Sequence, residues 1–573
     1  MIHAAATVML DLPRPDRSRI DASQVAAALR VVDLADVVDT IAEWREHDTV
    51  GRGAGGRPAV ISDRAALTIF MLLACAHRPL HVRQGALMLA RQLDEEGLAL
   101  LGITPPVGHT CGADDWYQRL WRAIHRILDV IDPYPAPRNR RLTAEEITEL
   151  KNARDPAVQT IRRLRLDWVC NRLIEATWQL LPRRVRRAER TNVCIDATPV
   201  RAHARGRKTS DATTEPDAGW YVREGEHLDT GDPNKRHKYG WEIHLAVACT
   251  NDPLKPATAP LMVTGVSFDR PGKRIAENAM TILTSMNDRG YPPGLIATDR
   301  AYWPNSQPDK LQLPARALGW NNINDYKETE RGVKAGHAGG IQVEGTWYCP
   351  SMPQPLITAT IDYLQHKTID KATWKQRIKE RARYMLKAKE NPDADGHQPL
   401  RCPAVGPSAT AACPLRPTSM TPTATAAKRA RITSPPEHPD RICTQTSVSF
   451  PPTAGAKYRQ DYQFGSKQWA DWYKTMRSTV EGFNGYVKDA AYEDLETPAK
   501  RRLRGRAAQH LLVTLLIVSA NLRKLQSWSD QQTNPTKVAQ IAARRETRRA
   551  RQSLKDHLPP STAPPGTPAT ATA

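Results

Sequence analysis

The sequence predicts an α/β protein preceded by an all-helical region. Two observations carry that reading: apolar residues at helical spacing up to about residue 185, and short β-branched runs of period two from residue 191 onward. A length of 573 residues allows two to four domains and a large buried core. The segment SDRAALTIFMLLACAH (62–77) opens on a Ser-Asp cap signal and continues as an apolar stripe. In WYQRLWRAIHRILDVI (116–131), Leu120, Ile124, Ile127 and Ile131 share one face with arginines between them. A third helical stretch, 162–190, ends in a basic cluster. The expectation for residues 1–185 is a helical, DNA-binding domain; a helix-turn-helix reader is compatible, but no single segment specifies one.

After residue 191 come TNVCIDATPV (191–200), HKYGWEIHLAVAC (237–249) and APLMVTGVSF (259–268), each strand-like. The second alternates Trp241, Ile243, Leu245 and Val247 on one face. A helix over 275–290 ends at Gly290, and PPGLIATDRAYW (292–303) reads as a buried strand. Residues 186–330 form the first part of a mixed-sheet core, and 331–465 form an insertion. Within it, IQVEGTWYC (341–349) reads as a strand and 371–389 as a basic helix. Its Pro/Ala/Thr-rich stretch, 396–457, reads as a loose linker. Helix returns over 466–527, where LLVTLLIVSANL (511–522) has core-helix length. Residues 528–573 hold a basic helix (541–555) and a tail of disordered composition.

Bulk properties narrow the partner. Lys plus Arg outnumber Asp plus Glu by 82 to 61, a formal net charge of +21 with a pI near 9.7. That balance favours a polyanion, foremost nucleic acid, over an acidic-surface membrane. No run approaches the roughly 18 apolar residues of a membrane span. The N-terminal MIHAAATVMLDLPRP lacks a positive leader before Asp11, so no signal peptide is expected. Nine scattered cysteines do not form a secreted disulfide pattern, and a reducing cytoplasm is the expectation.

Three acids stand out by context. Asp196 and Asp299 sit at or just beyond the ends of apolar strand-like runs. Singly, each reads as ordinary strand-end or capping chemistry. Glu481 lies in RSTVEGFNGYVK (477–488), where a helix would place Lys474, Arg477, Glu481, Asn484 and Lys488 on one face. Val480, Phe483 and Val487 would then face a core. The plainer reading of the charged face is solvent cladding with an Arg477–Glu481 pair. Three carboxylates together suit hard divalent cations, and two such ions about 3.5–4 Å apart can activate attacking and leaving oxygens in phosphodiester cleavage. Flanking cations would hold the phosphates.

In order and context this trio resembles the DDE transposases of bacterial insertion sequences, which share the ribonuclease H-like fold of retroviral integrases. In that family the first Asp lies on the first strand, the second on the fourth, and a Glu on a later helix. Here the acids lie 103 and 182 residues apart, and the long second interval matches members carrying an insertion before the Glu helix. Arg477, Glu481 and Lys488 match the spacing of the family's Tyr-Arg-Glu-Lys signature; Tyr473 departs from it by one position. DATPVRAHARGRK (196–208), HKYGWEIHLAV (237–247) and GRPAVISDRAALTIFMLLACAH (56–77) add to the likeness, which covers most of residues 55–525.

The resemblance implies a ribonuclease H-like catalytic core and a DNA transposase that cleaves transposon ends and joins the 3′-hydroxyl to target DNA. It implies two Mg²⁺ ions (Mn²⁺ able to substitute) on Asp196, Asp299 and Glu481. Arg477 and Lys488 would hold DNA phosphates, with Lys474 and Tyr473 beside them. A homodimer or larger assembly on DNA, nucleoid-associated while bound, also follows. The alternatives are a non-catalytic DNA-binding derivative and a ribonuclease H-like nuclease without strand transfer. No nucleotide cofactor is implied, since GVKAGHAGG (332–340) lacks the GxxxxGK[ST] pattern. Basic RAHARGRKTSD (201–211) reads equally as DNA contact or solvated charge. Cys349, Cys402, Cys413 and Cys443 could in principle form a Cys₄ zinc site. Without tight CxxC pairs, the sequence favours free thiols in irregular loop.

Overall fold

A computed structural model of the protein describes residues 19–49, 59–105, 111–204, 212–222, 237–421, 428–533, 543, 546 and 547. Most of the basic loop 201–211, most of the basic helix 541–555 and the C-terminal tail lie outside the described residues.

The chain is mixed α/β. Its principal helices before the sheet are α1 (Ala22–Ala35), α2 (Asp63–Cys75), α3 (Ala113–Ile131) and α4 (Pro156–Gln179). The Ser62 hydroxyl accepts from Ala65 N at 3.1 Å, so the Ser-Asp signal is a working N-cap. Leu120, Ile124, Ile127 and Ile131 of α3 are all buried, as their spacing requires. Asp155 caps α4, which begins earlier than residue 162 because Pro156 fits the first helical turn.

The sheet is built from β1 (Val193–Arg201), β2 (Gly219–Val222), β3 (His237–Ala248), β4 (Val263–Asp269), β5 (Leu295–Thr298) and β6 (Asn321–Ile323). Its order is β2-β3-β1-β5-β6, with β4 sharing the outer edge of β3 with β2. β1 pairs antiparallel with β3 and parallel with β5, and β5 pairs parallel with β6. Between β4 and β5 runs α5 (Ile275–Asp288). The pleat puts successive residues on opposite faces. Asp196 pairs with Leu245, so it faces away from His244, whose Nε2 is 3.2 Å from Asn278 Nδ2 on α5. The Asp196 face is covered instead by α7 (Lys467–Val487). Helices on both faces explain why β3 is buried continuously from Tyr239 to Ala248 although its sequence alternates.

After the insertion, helix resumes as α7 and then α8 (Arg506–Thr533), separated by an irregular stretch rather than running on from 466 to 527. Residues 511–522 are buried throughout. One continuous apolar core runs from Ile20 on the N-terminal side through the sheet to Leu525 on α8. Asn171 of α4 both donates to and accepts from the Val266 backbone, which ties that helix to the edge of β4.

The insertion differs from the expected loose linker. β7 (Val333–His337), β8 (Gly340–Val343) and β9 (Thr346–Tyr348) form a small antiparallel sheet. The run 341–349 is therefore a hairpin, turned at Glu344 and Gly345, both with positive φ. The basic helix α6 spans Lys371–Arg381. Short strands β10 (Lys387–Ala388), β11 (Gln398–Arg401), β12 (Ala411–Ala412), β13 (Ala430–Arg431) and β14 (Val448–Phe450) follow. Two small apolar cores of the insertion's own hold these pieces. Pro and Ala composition hid them because each strand is two to four residues long, too short for periodicity to register.

Candidate active site

Parallel pairing of β1 with β5 sets Ile195 opposite Thr298, so Asp196 and Asp299 stand at neighbouring positions. Asp299 follows the fifth strand in chain order, because the short β2 intervenes among the four strands read from sequence. Its Oδ1 accepts from Ala301 N at 2.9 Å, an Asx turn that fixes the carboxylate at the strand exit. Helix α7 lies across this part of the sheet because Met476, Val480, Phe483 and Val487 are buried on one side of it.

From α7, Asn484 Nδ2 donates to Asp196 Oδ2 at 3.1 Å. Arg477 places Nη1 3.6 Å from Asp196 Oδ1 and donates from Nη2 to Glu481 Oε1 at 3.1 Å. Arg477 thus joins the first and third acids. The Glu481 side chain is 62% exposed and turned along the helix toward Arg477 rather than down onto the sheet. Tyr473 donates to Thr298 O at 3.4 Å and stacks on Trp469, so it braces the helix against the strand that delivers Asp299. Lys474 is exposed. Lys488 pairs with Glu496 Oε1 at 3.4 Å, an acid it shares with Lys238 at 3.1 Å, so its charge is partly met inside the fold.

Burial makes ionisation of the two aspartates costly, and Arg477 only partly offsets it. Burial pushes Asp196 up to about 6; Arg477 opposes the rise, and Asp299 and Glu481 add to it. Asp299 is also raised by burial, against the Ala301 N–H and Arg477. Burial alone would lower Arg477, but Asp196 and Asp299 are among the groups that raise it above its ordinary value. Two further groups, neither proposed as a ligand from the sequence, bear on the site. Glu242 on β3 lies on the His244 face of the sheet, opposite Asp196; burial raises it, the field of Asp299 and Asp196 adds to the rise, and Gly272 N–H donates to its Oε2 at 2.9 Å. Asn484 Oδ1 is buried without a hydrogen-bond partner beside Asp196. Glu242 was hidden by its place inside an apolar strand, whereas Asn484 already stood on the helix face shared with Glu481 and lacked only a reason to be chosen.

The donor set suits a hard cation: carboxylates in a half-buried setting and an orphan amide oxygen. As placed, no three His, Cys, Asp or Glu side chains among the described residues are grouped tightly enough to hold a metal ion. The Glu481 carboxylate is itself held by Arg477. Set against known proteins, the chain matches no family model, no curated protein and no solved structure. No described helix is long and apolar enough to cross a membrane.

Proposed function

We propose that the chain is a metal-dependent DNA transposase of the DDE type, built on a ribonuclease H-like core. One observation carries the reading: residues far apart in sequence meet, with Asp196 and Asp299 at neighbouring strand positions and the Glu481 helix tied to Asp196 through Arg477 and Asn484. Asp196, Asp299 and Glu481 would hold the divalent ions, with Asn484 Oδ1 available as a further oxygen donor. Bound there, such ions supply Lewis acidity at the attacking and leaving oxygens of a phosphodiester. Released from Glu481 and Asp196, Arg477 would turn its guanidinium to a DNA phosphate. Lys474 is the exposed partner for the same backbone, and Lys488 joins it once Glu496 yields. The charge of +21 supports a polyanionic substrate.

The test is strand cleavage and transfer on labelled duplexes carrying the DNA that flanks the reading frame, with Mg²⁺ or Mn²⁺. Asp196→Asn, Asp299→Asn and Glu481→Gln should each lower the rate by about a thousandfold or more, the several kcal/mol a lost metal ligand removes. Near-wild-type turnover in any one of them removes that residue from the metal site. Cleavage without joining would identify a nuclease instead, and binding without either would identify a DNA-binding derivative.

A further inference from the structure

The insertion gathers four cysteines that its sequence scatters. Cys349 follows β9, Cys402 follows β11, Cys413 follows β12, and Cys443 lies in a short helix, Arg441–Thr444, capped by Asp440. All four are buried, with exposures of 3 to 6%. The first three repeat one local device: a Cys-Pro pair opening a turn closed by a backbone hydrogen bond to the third residue on. The bonds are Met352 N to Cys349 O at 3.1 Å, Val405 N to Cys402 O at 3.0 Å and Arg416 N to Cys413 O at 2.9 Å. Proline sets φ for the second position of such a turn, so each thiol is presented from a rigid corner at a strand exit.

The three corners share one small apolar core. The Cys349 and Cys402 thiols act on each other's ionisation, and Cys402 also acts electrostatically on Cys413 and Cys443. Cys443 in turn acts on Cys349. The Arg416 guanidinium acts on Cys402, Cys413 and Cys443, yet burial still holds Cys413 and Cys443 above the ordinary thiol value, and Cys402 alone of these three is lowered, to about 7. The four sit where the insertion's two small cores adjoin, Leu415 packing against both. Cores of that size are poorly stabilised by apolar burial alone and commonly rely on a cross-link or a metal.

We propose that Cys349, Cys402, Cys413 and Cys443 bind one structural zinc ion that holds the insertion together. Four thiolates and no open position make a closed tetrahedral site. As placed, no three of the sulfurs stand within reach of one ion, so binding requires the thiols to draw together. The assignment is independent of the acidic site and of the transposase reading.

The experiment uses the full chain, purified under reductant and reconstituted with Zn²⁺ or Co²⁺. Elemental analysis should find about one zinc per chain, and the cobalt form should show thiolate-to-cobalt charge transfer. Cys402→Ser and Cys443→Ser should each lose most of the ion, while Cys111→Ser, outside the cluster, should keep it. Should the cluster variants not fold, the wild-type cobalt spectrum decides alone. A folded wild type with no bound zinc and no charge-transfer band overturns the proposal, as does a mapped Cys349–Cys402 disulfide.

Discussion

Asp196 is held where its own charge is costly. Its pKa of about 6 lies above the ordinary 3.8, so as pH rises through that window the unfolded chain ionises first and the fold loses stability. The loss is complete above the folded value and absent below the unfolded one. In chelator, Asp196→Asn should therefore melt higher than wild type at about pH 8, and the gap should close toward about pH 4. Equal melting at the higher pH would show that Arg477 and Asn484 already compensate the charge. If the proposed cation binds there, it should remove this penalty, so added Mg²⁺ should raise the melting temperature of the wild type at about pH 8 and not that of Asp196→Asn. His244, by contrast, is lowered by burial to about 4 and stays neutral, bonded to Tyr302 at 2.5 Å on the opposite face of the sheet from Asp196.

Helix α7 separates two roles by face. Phe483 is 2% exposed in the main core, so Phe483→Ala should cost about 3–5 kcal/mol in denaturant melts. Glu481, two residues earlier, should tolerate Gln within about 0.5 kcal/mol because its side chain stands largely in solvent. A large stability loss in Glu481→Gln would mean that its pairing with Arg477 is structural, and would weaken the catalytic reading. Strand β3 makes a second element-level demand. A Cβ on Gly240 would stand 2.1 Å from Val200 O and 2.8 Å from Ala202 N, both backbone atoms that cannot yield without parting β1 from β3. Gly240→Ala should lower the melting temperature and, by shifting β1, the activity of Asp196 with it. A variant with wild-type stability and activity would show that the strand end absorbs the change.

Across the whole molecule, the excess of positive charge predicts DNA binding that weakens steeply with salt. Contact with six to ten phosphates would lower affinity by about 10³ to 10⁵ between 50 and 200 mM salt. Because the acids are expected to bind metal rather than phosphate, the Asp196→Asn, Asp299→Asn and Glu481→Gln proteins should keep that slope. Salt-insensitive binding in a filter or anisotropy titration would contradict the electrostatic reading. The proposed DNA and zinc binding should be separable in such titrations, since the four cysteines lie in an insertion with cores of its own, apart from the core that spans Ile20 to Leu525.

Much of the main core was legible from local pattern. The cap at Ser62, the apolar face of α3, strands β1, β3 and β4, helix α5 and the buried side of α7 follow from spacing that each segment carries in itself. The candidate acids were legible too, because an Asp ending an aliphatic run and an acid on a basic helix face are anomalies visible in one dimension. Tertiary structure decided what those residues touch. Only the parallel register of β1 and β5 sets Asp196 beside Asp299, and only the seating of α7 turns Arg477 and Asn484 toward them while leaving Glu481 outward. The pairing of Lys488 with Glu496, the place of Glu242 and the gathering of four distant thiols depend on contacts between segments far apart in sequence, and no local period encodes those.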